Sequence, residues 1–425
     1  MSGKAVSHTN IMINLNRVLS KYELQMKGNE DDDSEIPRAE SVQKIYRLDR
    51  QDREDVVQDA CEVYDLSEKE EFLQRCTNLG IPPFAMTYFL DNLSRGVTDL
   101  VLRNLGIGAR GASAVTEVLA GNSNIRSLDM SLNNIQDKGA STVAILLETN
   151  RSITNLDLSE NFIGKEGVDS ISNMLTYNSV LTHLDLSRNN LSCKDIQFLS
   201  NVIQTVDSIR VLDLRHNAFR SKGGKYLGDM LGKNTSLSEL YVGWNYFGDE
   251  GLKFLCSGLE MNRSLEVLDV CWNNIGHEGA EHISEFLENN GRLLELNLDN
   301  NHITDKGLTS IAKGLQVNET LRVLRVGFNV ITSKGANEVL ESLVSNPGTV
   351  VEKLHIAEVE VTTKFEKLFW ELKKRNPKFI VLEMNTPGGE MYHFEAPPNA
   401  MKVLDRYLEQ NGLNIDVSEL QLDKP

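Results

Sequence analysis

The chain has 425 residues, of which 40% are hydrophobic and 25% charged, and its formal net charge is −17 at pH 7. This composition can build a sizeable core, so wholesale disorder is excluded. A strongly acidic surface repels phosphate, so neither nucleic acid nor an anionic membrane surface is expected as the main partner. No apolar stretch approaches the ~18 residues of a membrane-spanning helix, and the N-terminus lacks the apolar core of a secretory signal.

The cysteines argue against a disulfide or metal framework. There are five, an odd number, widely scattered and without a CxxC pair: Cys61, Cys76, Cys193, Cys256 and Cys271. Such usage is typical of a reduced intracellular protein, so we expect a cytoplasmic location and no cofactor.

The first part of the chain is predicted to be a flexible segment followed by a helical cap. Residues 1–37 contain a short amphipathic helix with an apolar stripe and then the acidic linker 28–37; the stripe is Ile11, Leu15, Val18, Leu19 and Tyr22. Residues 38–96 have helical periodicity, and Pro82 and Pro83 suit the start of a helix over 80–93. Five residues of that helix are expected to dock on the first repeat: Phe84, Met86, Tyr88, Phe89 and Leu90.

A repeat of 28 residues then organises residues 97–345. The segment LTHLDLSRNNLSCKD at Leu181 is typical, and similar segments begin at Val97, Ile125, Ile153, Ile209, Leu237, Leu265, Leu293 and Leu321. Nine copies at constant spacing cannot arise by chance, so we number positions from the first residue of each copy.

The pattern within a copy predicts one strand and one helix. Positions 1, 4 and 6 are aliphatic and alternate with polar residues, which indicates a short strand with one buried face. Position 9 is Asn in eight copies, from Asn133 through Asn329, and its amide can satisfy backbone groups where the chain leaves the strand. Residues 139–150 then have the apolar spacing of a helix. A single copy cannot bury its apolar face, but stacked copies can.

This template resembles the leucine-rich repeats of the ribonuclease-inhibitor class. That resemblance implies an α/β solenoid, or horseshoe, with a parallel sheet on the concave face and helices on the convex face. The helical lead-in FLQRCTNLGIPPFAMTYFLDNL and the uninterrupted repeats are similar to the leucine-rich repeat-containing protein 74 family.

Several local features have structural explanations. The Asn-x-Ser/Thr triplets at Asn150, Asn234, Asn262 and Asn318 recur where each helix ends, so we interpret them as turn residues and not as glycosylation sites. Position 9 of the first copy is Leu105, because a terminal copy has no upstream neighbour with which to share an Asn column. Ser192 and Asp195 match a capping box.

The C-terminal part is predicted to close the array. Residues 346–385 are read as a degenerate repeat, in which Val359 replaces the Asn, and a closing strand at 379–384. Residues 386–425 form a tail with an amphipathic helix at 399–412. We expect the terminal helices to pack on the chain itself or to fray, although docking to a partner stays open.

The sequence offers little support for catalysis. It has no P-loop, HExxH or GxSxG motif, and the GxGxxG spacing of Gly106, Gly108 and Gly111 lies in the turn of the first copy. Ran GTPase-activating proteins share the repeat class, and by that resemblance Arg110 is the candidate arginine finger, with Asn133 or Asn161 as a companion. A structural role in cilia or flagella is a third possibility, again by resemblance. The main prediction remains a non-catalytic scaffold that binds proteins.

Candidate binding residues lie on the exposed side of the predicted sheet. Position 5 places carboxylates on four consecutive strands, about 4.8 Å apart, where they would repel one another and attract a basic partner; they are Asp129, Asp157, Asp185 and Asp213. Asp269 occupies the same position beyond Tyr241. Position 8 brings Trp244 and Trp272 onto adjacent strands, with Tyr241 beside them and Phe328 further along. Small residues at position 7, such as Gly243 and Cys271, are expected to leave these rings accessible, and accessible aromatic clusters are typical of interface hot spots. His216, at position 8, is interpreted as a solvated surface histidine that could face the same side. The partner is therefore predicted to be a protein with a basic and apolar segment, whereas the oligomeric state stays open.

Overall fold

The computed structural model describes residues 73–74, 76–357, 359, 361–383 and 392–393. It falls into two compact units, Met1–Asn189 (the first unit) and Asn190–Pro425 (the second unit). The predicted helix and acidic linker of residues 1–37, and the predicted helix at 399–412, lie outside the described residues.

In the first unit, short strands alternate with helices in chain order. The helices are α1 (Pro83–Ser94), α2 (Gly108–Leu119), α3 (Gln136–Thr149) and α4 (Lys165–Leu175), and the strands are β1 (Asp99–Val101), β2 (Ser127–Asp129), β3 (Asn155–Asp157) and β4 (His183–Asp185). All four strands are parallel, and each residue pairs with the residue 28 positions later.

The second unit continues the same alternation. Its helices are α5 (Cys193–Ile203), α6 (Arg220–Leu231), α7 (Gly248–Met261), α8 (His277–Asn289), α9 (Asp305–Leu315), α10 (Ser333–Ser345) and α11 (Thr363–Arg375). Its strands are β5 (Val211–Asp213), β6 (Glu239–Tyr241), β7 (Val267–Asp269), β8 (Glu295–Asn297), β9 (Val323–Arg325), β10 (Lys353–His355), β11 (Ile380–Glu383) and β12 (Tyr392–His393). Strands β5–β11 are parallel, and β12 pairs antiparallel with β11. In each unit the strand–helix repeats stack in register, which confirms the predicted leucine-rich-repeat solenoid.

The core of each repeat comes from the predicted aliphatic positions. Leu184 and Leu186, at positions 4 and 6, are buried, as are their equivalents in the other copies. Glycine recurs at position 15 because the first turn of the helix lies against position 11. At Gly139, for example, an added Cβ would stand 2.5 Å from the Cβ of Ile135.

The position 9 asparagines form the predicted hydrogen-bonded column. Asn133 is buried; its Oδ1 accepts the N–H of Leu105 at 2.9 Å and its Nδ2 donates to the carbonyl of Leu102 at 2.7 Å. Its own N–H donates to Oδ1 of Asn161 at 2.9 Å. Each position 9 side chain thus forms hydrogen bonds with the backbone of the preceding copy. The first copy has no preceding repeat, which explains why its position 9 is Leu105 and not Asn.

A second asparagine column joins the ends of the helices. The Asn150 side chain accepts the N–H groups of Ser152 and Ile153 and donates to the carbonyl of Asn122. The Asn-x-Ser/Thr triplets are therefore confirmed as turn residues. The capping box at Ser192 and Asp195 is confirmed as well.

A third device, which the sequence analysis missed, caps helices from the preceding copy. Oδ1 of Asp137 accepts the N–H of Gly164 at 2.6 Å and that of Gly167 at 3.0 Å, at the start of α4. Asp249 does the same for Gly276 in the second unit. Carboxylates at a helix N-terminus satisfy otherwise unpaired N–H groups. These glycine-initiated helices therefore take their cap from the previous copy.

The described ends follow the predictions in part. Met86, Phe89 and Leu90 of α1 are buried as expected, but Phe84 and Tyr88 lie on the outer side of the helix and are exposed, so the expectation that they dock is wrong. Leu354, Ile356 and Val359 are buried in the degenerate repeat. The closing strand is present as β11, but β12 follows it, so β11 is not the last strand.

Candidate functional site

The side of each sheet that does not bury the core leucines is called here the sheet face. It carries positions 3, 5 and 7, and position 8 lies just beyond each strand. Position 8 has a left-handed backbone in every copy, with φ between +53° and +62°. The residues concerned are Asn104, Leu132, Glu160, Arg188, His216, Trp244, Trp272, Asn300 and Phe328. This conformation suits Asn or Gly, and a large side chain there costs about 1 kcal/mol or more.

Three of these residues, His216, Trp244 and Trp272, stack on one another and are called the ring ladder. The centroids of His216 and Trp244 are 4.7 Å apart, and those of Trp244 and Trp272 are 4.1 Å apart, with interplanar angles of 18° and 17°. The rings follow the strand spacing because the backbone ladder continues beneath them: the N–H of Trp244 donates to Cys271 and that of Trp272 to Asp299. The predicted neighbours Trp244 and Trp272 are therefore in contact. His216 lies on the same side as the tryptophans; it is half-buried, and its ring stacks on Trp244, which the sequence analysis did not foresee.

The two tryptophans differ in exposure. Trp244 has a ring on each side and is half-buried, whereas Trp272 has a ring on one side only and is 44% exposed. Beneath them, an added Cβ at Gly243 would stand 2.7 Å from Sγ of Cys271, so the small residues at position 7 also make room for each other. Burial, together with the Asp269 carboxylate, raises the pKa of the Cys271 thiol, which keeps it protonated at neutral pH.

Tyr241 lies on the sheet face beside the ladder and is fixed by two contacts. Its hydroxyl donates to Oε2 of Glu239 at 2.7 Å, and the guanidinium of Arg215 lies 5.3 Å from its ring centroid. Burial raises the pKa of the Tyr241 hydroxyl, and the carboxylates of Glu239 and Glu295 raise it further. The charge of Arg215 opposes the effect of the two carboxylates.

The predicted carboxylates lie at position 5, where most have a structural partner. In the first unit, Asp129, Asp157 and Asp185 each accept the backbone N–H two residues later, at 2.8–2.9 Å. Burial raises the pKa of Asp157; the hydrogen bonds from Ser159 oppose this, and the charge of Asp129 adds to it. The expected mutual repulsion is therefore present but is not the main cause.

In the second unit the two predicted carboxylates are buried. Asp213 binds Arg215, with Nη2 to Oδ2 at 2.5 Å and Nε to Oδ2 at 2.9 Å, so the basic group that meets it comes from this chain. Asp269 accepts the N–H of Cys271 at 2.9 Å.

A buried ionic group on strands β8–β10 escaped the sequence analysis. Asp299 accepts from Nε of Arg325 at 2.8 Å and from the N–H of Gly327 at 2.7 Å, and its Oδ1 lies 2.8 Å from Nδ1 of His355. His355 in turn meets Phe328 edge-on, with ring centroids 6.1 Å apart. The predicted site residue Phe328 thus packs against His355, and Asp299, two strands from His355, fixes that histidine. Nε2 of His355 has no hydrogen-bond partner among the described residues.

The residues considered for GTPase activation have structural roles. Arg110 lies in the first turn of α2 and donates to the carbonyl of Leu79 at 2.9 Å. Asn133 and Asn161 are fully buried in the position 9 column, with both amide atoms engaged. Neither asparagine is available to a bound GTPase, so these residues do not support that activity.

No helix within the part of the chain that the structure describes combines the length and apolar character needed to span a bilayer.

Comparison with protein families identifies the repeats. The family described as Leucine Rich repeat matches eight segments: residues 121–144, 149–172, 177–199, 208–228, 233–256, 262–284, 292–312 and 317–339. No curated protein matches the sequence.

Solved structures give weak likenesses. Leiomodin-1 Actin-Binding Site 2 is 20% identical with a TM-score of 0.31, covering 44% of this chain and 94% of that one. The tropomodulin C-terminal domain of Caenorhabditis elegans is 14% identical with a TM-score of 0.31, covering 44% and 98%. The Rad7 and Elc1 complex in yeast is 14% identical with a TM-score of 0.42, covering 76% and 90%. Each of the eight matched segments contains one strand and part of the helix that follows it, and this chain is a leucine-rich repeat protein.

Proposed function

We propose that this protein is a non-catalytic docking scaffold whose ring ladder, on the sheet face of the second unit, binds a segment of a partner protein. Leucine-rich repeats generally mediate protein–protein interactions and are generally not catalytic. The observation that carries the proposal is the exposure of Trp272, which is stacked on Trp244 and nevertheless 44% open to solvent.

The ring ladder suits binding because it is rigid before a partner arrives. Stacked rings have few conformations to lose, so little entropy is spent when they are covered. Aromatic anchors of this kind contribute about 2 kcal/mol or more each when they are truncated. Their left-handed backbone favours Asn, which would fold more easily there, so the rings are costly residues at these positions.

The test is peptide selection against the full chain. Random displayed peptides are enriched on the wild-type protein, and their affinities are then measured by fluorescence anisotropy. Replacing both tryptophans (Trp244→Ala with Trp272→Ala) is expected to weaken binding at least tenfold, since each tenfold step corresponds to about 1.4 kcal/mol.

The matched control is Trp370→Phe, because Trp370 lies on α11 and outside the ladder. This variant should bind as the wild type does, and the circular dichroism of all variants should agree. Selected peptides that bind the double variant with unchanged affinity would show that the ladder is not the binding site.

The finer identity of the scaffold stays a prediction. Membership of the leucine-rich repeat-containing protein 74 family, the ribonuclease-inhibitor type of the repeats and a cytoplasmic or ciliary location all rest on resemblance. The binding of basic residues at Asp129, Asp157 and Asp185 is a separate prediction about the first unit.

A further inference from the structure

The ring ladder is interrupted at one position and then resumes. Position 8 reads His216, Trp244, Trp272, Asn300 and Phe328 on successive strands of the second unit, and all five have nearly the same backbone conformation. The backbone ladder passes through the interruption, because the N–H of Asn300 donates to the carbonyl of Gly327 at 2.9 Å. Asn300 therefore stands between two aromatic residues without supplying a ring.

The distance between the rings of Trp272 and Phe328 suits one planar group placed between them. Trp272 and Phe328 are two strand steps apart, which is about 10 Å. A planar group in contact with both rings needs a contact distance of about 3.5–4 Å on each side, or about 7–8 Å in total. Asn300 puts no ring into this space, and Trp272 is exposed while Trp244, covered on both sides, is half-buried. We call the space between Trp272 and Phe328 the slot.

The far wall of the slot is fixed. Phe328 packs edge-on against His355, which is 1% exposed and is bound through Nδ1 to Asp299. Arg325 is bound to the same carboxylate by Nε and Nη2, so its guanidinium is occupied beside the slot and cannot enter it without breaking that pair. Asn300, at the floor, offers an amide that can both accept and donate hydrogen bonds.

The sheet face on which the slot lies carries an excess of negative charge. Strands β6–β9 carry four carboxylates at positions 3, 5 and 7 of the sheet face but one guanidinium, a formal charge of −3; the carboxylates are Glu239, Asp269, Glu295 and Asp299, and the guanidinium is Arg325. Glu239 and Glu295 form no ion pair with the described residues. A cation that is also planar and stacks on aromatic faces is the guanidinium of arginine, whereas the ammonium of lysine is a compact point charge.

We propose that the slot between Trp272 and Phe328 binds an arginine side chain of the partner protein, which completes the interrupted ring stack above Asn300. This inference rests on the proposed function, because it names the side chain that the ladder recognises.

The experiment follows the indole N–H signals of the ¹⁵N-labelled full chain by NMR. Its three tryptophans give three signals, which Trp244→Phe and Trp272→Phe assign. The probes are the blocked peptides acetyl-Gly-Arg-Gly-amide and the same peptide with citrulline or lysine in place of arginine. Citrulline has nearly the shape of arginine without its charge. We expect the Trp272 signal to shift with arginine, and at least fivefold weaker binding with citrulline and with lysine.

Two matched variants locate the effect. Asn300→Phe continues the ladder through the slot and should abolish the arginine response. Asn274→Phe makes the same change at an exposed residue with φ of +60°, off the sheet face, and should leave the response intact. The αL backbone at position 8 already accepts Phe328, so Asn300→Phe is expected to fold, and circular dichroism checks this.

Three outcomes would overturn the slot: no shift of Trp272 with the arginine peptide, equal binding of the citrulline peptide, or an unchanged arginine response in Asn300→Phe. If any of these occurs while the selected peptides still depend on both tryptophans, the slot alone is wrong. If the selected peptides ignore both tryptophans, the proposed function fails and the slot with it.

Discussion

The row of carboxylates on β2–β4 and the ring ladder of the second unit occupy the same kind of repeat, yet they use the sheet face differently. In the first unit, position 8 holds Leu132, Glu160 and Arg188, and Glu160 lies 3.8 Å from Arg103 and 3.9 Å from Arg188. In the second unit the same position holds stacked rings. The backbone at position 8 is equally left-handed in both, so the difference lies in the side chains and not in the scaffold.

In each repeat, the residues that support the fold are different from those that vary on the sheet face. Asparagines at position 9 make the same hydrogen bonds in both regions. In the carboxylate row the residues of the sheet face bind their own backbone, whereas the ladder leaves an open aromatic surface. Substitutions can test each side of this distinction.

The largest effect is expected at position 9, equally in the two regions. Asn161→Ala and Asn273→Ala each leave two buried N–H groups and several carbonyls without their amide partner. An unsatisfied buried group costs about 1–3 kcal/mol, so each variant should lose about 3 kcal/mol or more in free energy of unfolding. Urea denaturation followed by circular dichroism measures this loss.

The controls for position 9 are exposed asparagines on helices. Asn173→Ala on α4 and Asn289→Ala on α8 should change the free energy of unfolding by no more than about 0.5 kcal/mol. A loss at Asn273 much smaller than that at Asn161 would break the comparison, because the scaffold would then differ between the two regions.

A smaller effect is expected at position 8, and it should differ between the regions. Trp244→Asn removes two ring stacks, each contributing about 0.5–1.5 kcal/mol, and gains about 1 kcal/mol from a residue suited to the backbone. Loss of the half-buried indole area adds to the deficit, so we expect a net destabilisation of about 1–2 kcal/mol. Glu160→Asn loses only long, partly exposed ion pairs and should be neutral or slightly stabilising.

Thermal and urea unfolding of this pair measure the difference. Equal effects at Trp244 and Glu160 would mean that stacking does not stabilise the second unit, and the ladder would then be a set of independent surface rings.

The sequence predicts the features that the repeat spacing determines and misses those that depend on side-chain conformation. The constant spacing of 28 residues fixes which residues share a column, so it correctly brought Trp244 next to Trp272 and explained Leu105. Features within a column depend on side-chain rotamers, which spacing does not reveal. For that reason the stacking of His216 on Trp244 was not recognised, and Asp213 was expected to await a basic partner although Arg215 stands two residues away.

The contact between Asp299 and His355 was hidden for another reason. His355 pairs with Arg325, 30 residues earlier and not 28, because the ninth copy is two residues longer than the others. Reading Val359 at position 9 already places His355 at position 5, the position of Arg325 in the neighbouring copy. The alignment does not show that the His355 ring reaches across Gly327 to Asp299, two strands away.

The smallest change in the free energy of unfolding is expected when one carboxylate from each region, Asp157 or Asp213, is replaced by an amide. The pKa of Asp157 is raised mainly by burial, so the folded protein binds its proton more readily than the unfolded chain does. The ionised form therefore lowers stability at neutral pH, and this cost disappears as the pH falls through the folded pKa. Asp157→Asn keeps an oxygen for the N–H of Ser159 and should raise the free energy of unfolding at pH 7 by less than about 1 kcal/mol.

The paired carboxylate in the second unit should respond in the opposite direction. Asp213→Asn removes the charge that binds Arg215 and should lower the free energy of unfolding by about 1 kcal/mol, since hydrogen bonds to charged groups contribute about 1.5–3 kcal/mol and the remaining amide keeps part of them. Urea midpoints between pH 4 and pH 7 measure both variants. The gain from Asp157→Asn should shrink toward pH 4 as the wild-type carboxylate takes up its proton. If Asp157→Asn destabilises the protein at pH 7 as much as Asp213→Asn does, the Asp157 carboxylate is held by a favourable partner, and the first unit presents no unrelieved negative charge at this residue.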